Sequence, residues 1–176
     1  MSMSSVARLA GTVVLVATCA FAAKAQTSGE PVKIGAIVSV TGAGAGLGIP
    51  ERNGMLLAEK TINAKGGING RPIRLIIEDD ASNPDTALSK ANELLFGQKV
   101  IGLLGPSLTA STVAVGGVTH ANKIPQIAFT GIGPAVEKER KCVAHVLPPQ
   151  KLNAQALLEY AKSIKAAKVG VLHDAG

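Results

Sequence analysis

The chain has 176 residues, of which 47% are apolar, 17% charged and 2% aromatic, with a formal net charge of +6. That composition suits one globular domain, or a domain and part of another, and four aromatic residues (Phe21, Phe96, Phe129 and Tyr160) leave a core of Val, Ile, Leu and Ala, as in parallel α/β sheets. The positive charges are scattered without interleaved aromatics, which argues against nucleic acid, and no apolar run reaches the ~18 residues of a membrane span.

The first 25 residues read as a secretory signal. Arg8 precedes an apolar stretch from Leu9 to Ala22, and Ala23-Lys24-Ala25 is a small-x-small cleavage site before Gln26. The alternatives are a buried N-terminal helix, against which Thr27-Ser28-Gly29 follows at once with nothing to cap it, and lipid processing at Cys19 after Val16-Ala17-Thr18, for which Thr18 is an unusual neighbour. Loss of Arg8 and Lys24 lowers the net charge from +6 to +4. Cys142 is then the only cysteine, so no internal disulfide forms. His120, His145 and His173 are too far apart in sequence to suggest a metal site, and neither metal nor cofactor is expected.

Val32–Val40 is an apolar run that predicts a first buried strand. The Gly-rich stretch 41–50 predicts a loop, and Met55, Leu56, Ala58 and Ile62 predict a helix over 51–64 that ends at Gly66-Gly67. Ile73–Ile77 is a second strand. Asn83-Pro84 is an N-cap with proline at N1, opening a helix to about Phe96. The unit recurs: strand 100–104, turn 105–108, helix 109–121, strand 125–129, a Gly-rich loop, strand 143–147, helix 151–164 and strand 168–172. The alternation predicts an α/β fold with a doubly wound, Rossmann-like parallel sheet.

Such sheets bind ligands at the carboxyl ends of their strands. Those ends are Thr41–Leu47, Glu78–Asp80, Gly105–Ser111 and Thr130–Pro134, rich in Gly, Ser and Thr, and suited to a small polar solute held by hydroxyls and backbone N–H groups. Gly42 to Gly48 is no dinucleotide fingerprint: the third glycine of GxGxxG is missing in every register, and the acids at Glu78–Asp80 lie too far downstream. Adjacent carboxylates on a strand point to opposite faces, so Glu78-Asp79-Asp80 reads as a strand end that faces water and caps the next helix. Ser107, Ser111 and Thr112 have no partner His or Asp at motif spacing and no GxSxG elbow. Their expected roles are capping and ligand hydrogen bonds.

The stretch Ile62-Asn63-Ala64-Lys65-Gly66-Gly67-Ile68-Asn69-Gly70-Arg71, running into an apolar strand, Glu78-Asp79-Asp80 and Asn83-Pro84, closely resembles the leucine/isoleucine/valine-binding family, the type I periplasmic solute-binding proteins of ABC importers. Thr41-Gly42 with Gly48 and Asn53-Gly54, Gly105-Pro106 with Thr109, Ser111 and Thr112, Ile124-Pro125 with Pro134, and Leu172-His173-Asp174 agree in order, so the resemblance runs from Val32 to Gly176. It implies a type I periplasmic-binding-protein lobe with the second lobe largely missing: a signal peptide over 1–25, a first ligand-binding lobe over 26–148, and the start of a second lobe over 149–176. It also implies a non-enzymatic periplasmic protein that captures a carboxylate-bearing solute, such as a branched-chain amino acid, and delivers it to an ABC permease.

By position, the family's ligand-contacting hydroxyl of the second loop falls on Thr109, the third-loop contacts on Thr130 and Ile132, and a pocket-lining position on Leu47; Thr41, Ser107 and Gly131 belong to the same loops. Family members usually carry a hydroxyl where Ile132 stands, and this departure implies that a carboxylate with an apolar or aromatic body is accepted at least as well as leucine; the alternative is that Thr130 turns inward and restores the contact, leaving a branched-chain amino-acid binder. The competing readings are a ligand-sensing domain of the same fold and a secreted doubly wound enzyme. The signal reading predicts that mass spectrometry of exported protein finds Gln26 at the amino end; a lipid-modified Cys19 there would refute it.

Overall fold

The computed structural model describes residues 28–131 and 141–170. The expected signal and its cleavage site, Ile132, Pro134 and the His173-Asp174 pair lie outside the described residues.

Five parallel strands form one sheet in the order β2-β1-β3-β4-β5: β1 Val32–Val38, β2 Ile73–Asp79, β3 Leu103–Leu104, β4 Gln126–Ala128 and β5 Val143–His145. This is the flavodoxin-like doubly wound order, which reverses direction between β1 and β3. Helices α1 (Ala45–Ala64), α2 (Pro84–Asn92), α3 (Thr109–Ala121) and α4 (Gln150–Ser163) follow β1, β2, β3 and β5. One face of the sheet packs Ile37 and Leu103 against Ala87, Ala91, Leu94, Leu95 and Val115, all buried. The other packs Ala36 and Val38 against Met55 of α1, with Leu75, Ile77 and Leu104 around them. Over β3 and β4 this second face is open: Ile101 is 62% and Ile127 44% exposed.

The N-cap forms as the sequence predicts. Asn83 accepts from the N–H groups of Asp85 and Thr86, each at 2.9 Å, with Pro84 as the first helical residue. The helical path continues past Asn92 as a π-helical turn, Glu93–Gly97, so the expected end near Phe96 holds while its winding changes. The third strand is shorter than expected, but the chain leading into it is already bonded to β1: Ile101 N–H donates to Lys33 O at 3.0 Å, and Gly35 N–H to Gly102 O at 3.0 Å.

Three expectations need correction. The stretch 41–50 is not all loop, because α1 begins at Ala45 and carries Pro50 inside it. The glycines there serve packing as well as turning: a Cβ on Gly48 would lie 2.1 Å from Ser39 O, so only glycine lets the helix press on the end of β1. Asp80 does not face water; it is fully buried, and Asn83 does the capping. Lys168, Val169 and Gly170 form no strand, having no partner strand among the described residues.

The stretch that carries the family resemblance is a latch. Asn63, on the last turn of α1, donates from Nδ2 to Ile73 O at 2.9 Å and accepts from Ile73 N–H at 2.8 Å. Glu59, one turn earlier, accepts from Leu75 N–H at 3.0 Å. β2 is an edge strand, and these side chains satisfy outward backbone groups that would otherwise template another strand. Gly66, Gly67, Asn69 and Gly70 all have positive φ, which folds the connection into a tight turn closed by mutual Ile68 and Arg71 backbone bonds.

Gly48→Ala is expected to cost at least about 2 kcal/mol by overpacking. Gly54→Ala, on the same helix with open space around it, should be neutral or stabilising by up to about 1 kcal/mol. Urea unfolding of both variants checks the contrast, and equal effects would contradict the close approach of α1 to β1.

Candidate functional site at the carboxyl ends of the strands

In doubly wound sheets the ligand crevice lies where the strand order reverses, here at the carboxyl ends of β1 and β3. A buried polar network fills its floor. Ser39, the residue after β1 turns out of the sheet, is fully buried; its N–H donates to Ser107 Oγ at 3.1 Å and its hydroxyl to Asp80 Oδ1 at 2.7 Å. Asp80 Oδ1 also accepts from Ser82 N–H at 2.9 Å. The Ser107 hydroxyl donates to Glu51 Oε2 on α1 in a short hydrogen bond. Burial raises the Glu51 carboxyl above its ordinary pKa; the Ser107 bond opposes this, and the negative charge of Asp80 pushes it up again.

Asp79 does the matching work one residue earlier, on the opposite side of the strand. Its carboxylate accepts from Val40 N–H (2.8 Å), Thr41 N–H (3.2 Å), Ala81 N–H (2.9 Å) and the Thr41 hydroxyl (2.7 Å). Its partial burial raises the pKa, but the bonds from the Thr41 hydroxyl and from the Ala81, Thr41 and Val40 amides outweigh that and hold the carboxyl below its ordinary value.

Above the floor stands a second group. Thr109 opens α3 and Thr130 follows β4, and their hydroxyl oxygens are 3.1 Å apart. Thr109 Oγ1 also donates to Gly131 O at 3.4 Å. Because Leu108 offers no side-chain cap, the N–H groups of the first turn of α3 face this loop with the positive end of the helix dipole. Gln126, 1% exposed, fixes the loop beneath by donating to Gly105 O at 3.0 Å and accepting from Thr119 at 2.7 Å. Gly105 has φ +86°, and a Cβ there would strike Ile37 O.

The structure therefore brings Thr109, Thr130 and Gly131 together. Thr41 is exposed on the neighbouring loop with its hydroxyl donated to Asp79, and Leu47 projects from the first turn of α1, 55% exposed. Ser107 is 3% exposed and sits beneath the loops. A serine hydroxyl on a carboxylate is half of a nucleophilic dyad, but this one is buried and also accepts the Ser39 amide. Sequence reasoning missed Glu51, which helical periodicity assigns to a solvated turn, and His145, whose ring Nδ1 lies 2.6 Å from Thr130 O. No signal in the sequence pairs either with its partner. Among the described residues no group of three metal-ligating side chains converges, and no helix is long and apolar enough to cross a membrane.

Comparison with known proteins bears on the fold and the family. The family profile described as periplasmic binding protein matches residues 31–176. A Leu/Ile/Val-binding protein homologue of Brucella melitensis is 30% identical over 171 residues, covering 96% of this chain and 45% of its own length. An extracellular ligand-binding receptor of Rhodopseudomonas palustris, 31% identical, superposes with a TM-score of 0.68 over 77% of this chain and 36% of its own. A leucine-binding protein of Thermotoga maritima, 25% identical, gives 0.70 over 78% and 38%. The chain spans somewhat less than half the length of the curated relatives it matches.

The raised Glu51 carboxyl predicts a pH signature. A carboxyl with a folded pKa above its unfolded value of about 4.3 contributes most to stability below that value and loses the contribution as pH rises through the folded pKa. Glu51→Gln keeps an acceptor for Ser107 and removes the charge. Its melting temperature relative to wild type should therefore be higher at pH 7 than at pH 4; parallel curves would refute the assignment.

Proposed function

The chain belongs to the periplasmic binding protein family, and from that premise we propose that residues 26–148 are the first lobe of an exported solute-binding protein that serves an ABC importer. The observation that carries the reading is the convergence of Thr109, Thr130, Gly131 and the open first turn of α3 beside the β1/β3 reversal. Neutral hydroxyls and N–H groups at the positive end of a helix suit a carboxylate. The solute is a small carboxylate-bearing compound, a branched-chain amino acid or a relative of one. Thr109, Thr130 and Gly131 meet its polar end; Thr41 from the first loop and Leu47 from the first turn of α1 line the crevice, and Ser107 props the site from below.

No bond of the solute changes in this reading: the lobe holds it until a second lobe closes over it and a membrane permease receives it. Residues 149–176 begin that second lobe. In support, Leu157 and Tyr160 of α4 and Ile164 just after it share one side of the helix and are each more than half exposed.

A cleft shared between lobes makes a quantitative prediction. The 176-residue chain should bind at least ~100-fold more weakly than a two-lobed protein carrying the same first lobe, since ~1.4 kcal/mol is a factor of ten and one lobe supplies half the contacts. Titration calorimetry with leucine, isoleucine, valine and benzoate on both proteins measures this. Equal affinities would refute the shared cleft, and a response to leucine alone would refute the acceptance of an apolar or aromatic carboxylate without an ammonium.

A further inference from the structure

We propose that His145 is a positioning residue for the solute site, one that aims the Gly131 N–H at the Thr109 side of the crevice. This rests on the reading of the Thr109–Thr130 loop pair as a solute contact. Parallel pairing of β4 and β5 sets Ala128 opposite His145, and the ladder extends past it, Val146 N–H donating to Ala128 O at 3.1 Å. The imidazole thus arrives beside the chain where it leaves β4. Its Nδ1 is 2.6 Å from Thr130 O. A carbonyl oxygen can only accept, so the ring nitrogen must donate, and the neutral ring is the Nδ1–H tautomer. His145 Nε2 is then a bare acceptor, buried and without a partner among the described residues.

The consequence follows from peptide geometry. In a trans peptide the C=O of Thr130 and the N–H of Gly131 share a plane and point in opposite directions. With the carbonyl drawn to β5, the Gly131 N–H faces away from β5, toward the side on which α3 begins. The next carbonyl, Gly131 O, accepts from Thr109 Oγ1, which is itself 3.1 Å from Thr130 Oγ1. One imidazole therefore fixes the plane of the peptide between two hydroxyl-bearing loops. Without it, Thr130–Gly131 can rotate, because glycine restrains neither sense of the turn.

The test has a readout that needs no solute. In the 176-residue chain labelled with 15N, the ring nitrogens of His145 should report the Nδ1–H tautomer. His145→Asn, whose amide N–H can stand where Nδ1–H stood, should keep the Gly131 amide resonance near its wild-type position. His145→Phe, similar in size and without a donor, should move or broaden it while the amides of β1 stay in place. An Nε2–H tautomer, or an unmoved Gly131 in His145→Phe, overturns the proposal. Titration of L-leucine into the two-lobed protein then separates positioning from mere packing: His145→Phe should weaken binding at least tenfold and His145→Asn by less than threefold. Equal loss in both variants overturns it. Should the unaltered two-lobed protein bind none of the probes named above, the solute reading fails, and the ring and amide signals still judge the positioning.

Discussion

The structure depends on what happens at Ser39. Three segments far apart in sequence converge there, and each uses a different atom. The amide goes to Ser107 and the hydroxyl to Asp80, while the carbonyl is pressed by Gly48 of α1. The residue is fully buried, so its amide and hydroxyl depend on protein partners. This constraint fixes the ends of β1, β2 and β3 and the start of α1 against one another. It thereby decides where the crevice lies, before any solute-facing side chain is considered. The arrangement puts two carboxyl groups, Glu51 and Asp80, under a site that would take an anion. Glu51 accepts the Ser107 hydroxyl and burial favours a proton on it, while Asp80 Oδ1 accepts the Ser39 hydroxyl and the Ser82 amide and its Oδ2 has no partner among the described residues.

Much of the fold was legible because α/β units repeat their local signals. Asn83-Pro84 gave a cap, the apolar runs gave strands, and helix 109–121 has the expected limits. Two of the failures share one cause. The stretch 41–50 reads as loop because glycine lowers helix propensity, whereas packing against Ser39 claims Gly48 for a helix. Asp80 reads as solvated because acids at strand ends usually are, whereas Ser39 and Ser82 draw it inside. In both cases a long-range contact outweighed a local preference, and a single sequence carries no trace of such a contact.

The stretch that identifies the family is not the stretch that would bind the solute. Asn63 and Glu59 close the edge of β2, and the glycines and Asn69 turn the chain between α1 and β2. The requirement is backbone geometry, which few residues meet, so the pattern is specific. The solute crevice asks only for hydroxyls and N–H groups at strand ends, which many Gly/Ser/Thr loops provide. Thr109 and Thr130 were legible as candidates, and the structure sets their hydroxyls side by side. His145 was invisible, because its role exists only once β5 has paired with β4.

Neutral donors have a physical consequence for a lobe of this kind. An intramolecular hydrogen bond exposed to water nets about 0.5–1.5 kcal/mol, and a solute meeting two hydroxyls and one or two amides on an open surface faces comparable terms. A handful of them amounts to a few kcal/mol, near the 4.1 kcal/mol of a millimolar complex, from which the cost of immobilising the solute is still to be subtracted. Charged side chains would raise that figure and would also hold the solute after opening. Thr109, Thr130 and Gly131 instead gain strength only when water is excluded, since the same bonds are electrostatically stronger in a low dielectric. In the proposed cycle, affinity then resides in closure and release in opening, and an uncharged crevice permits both.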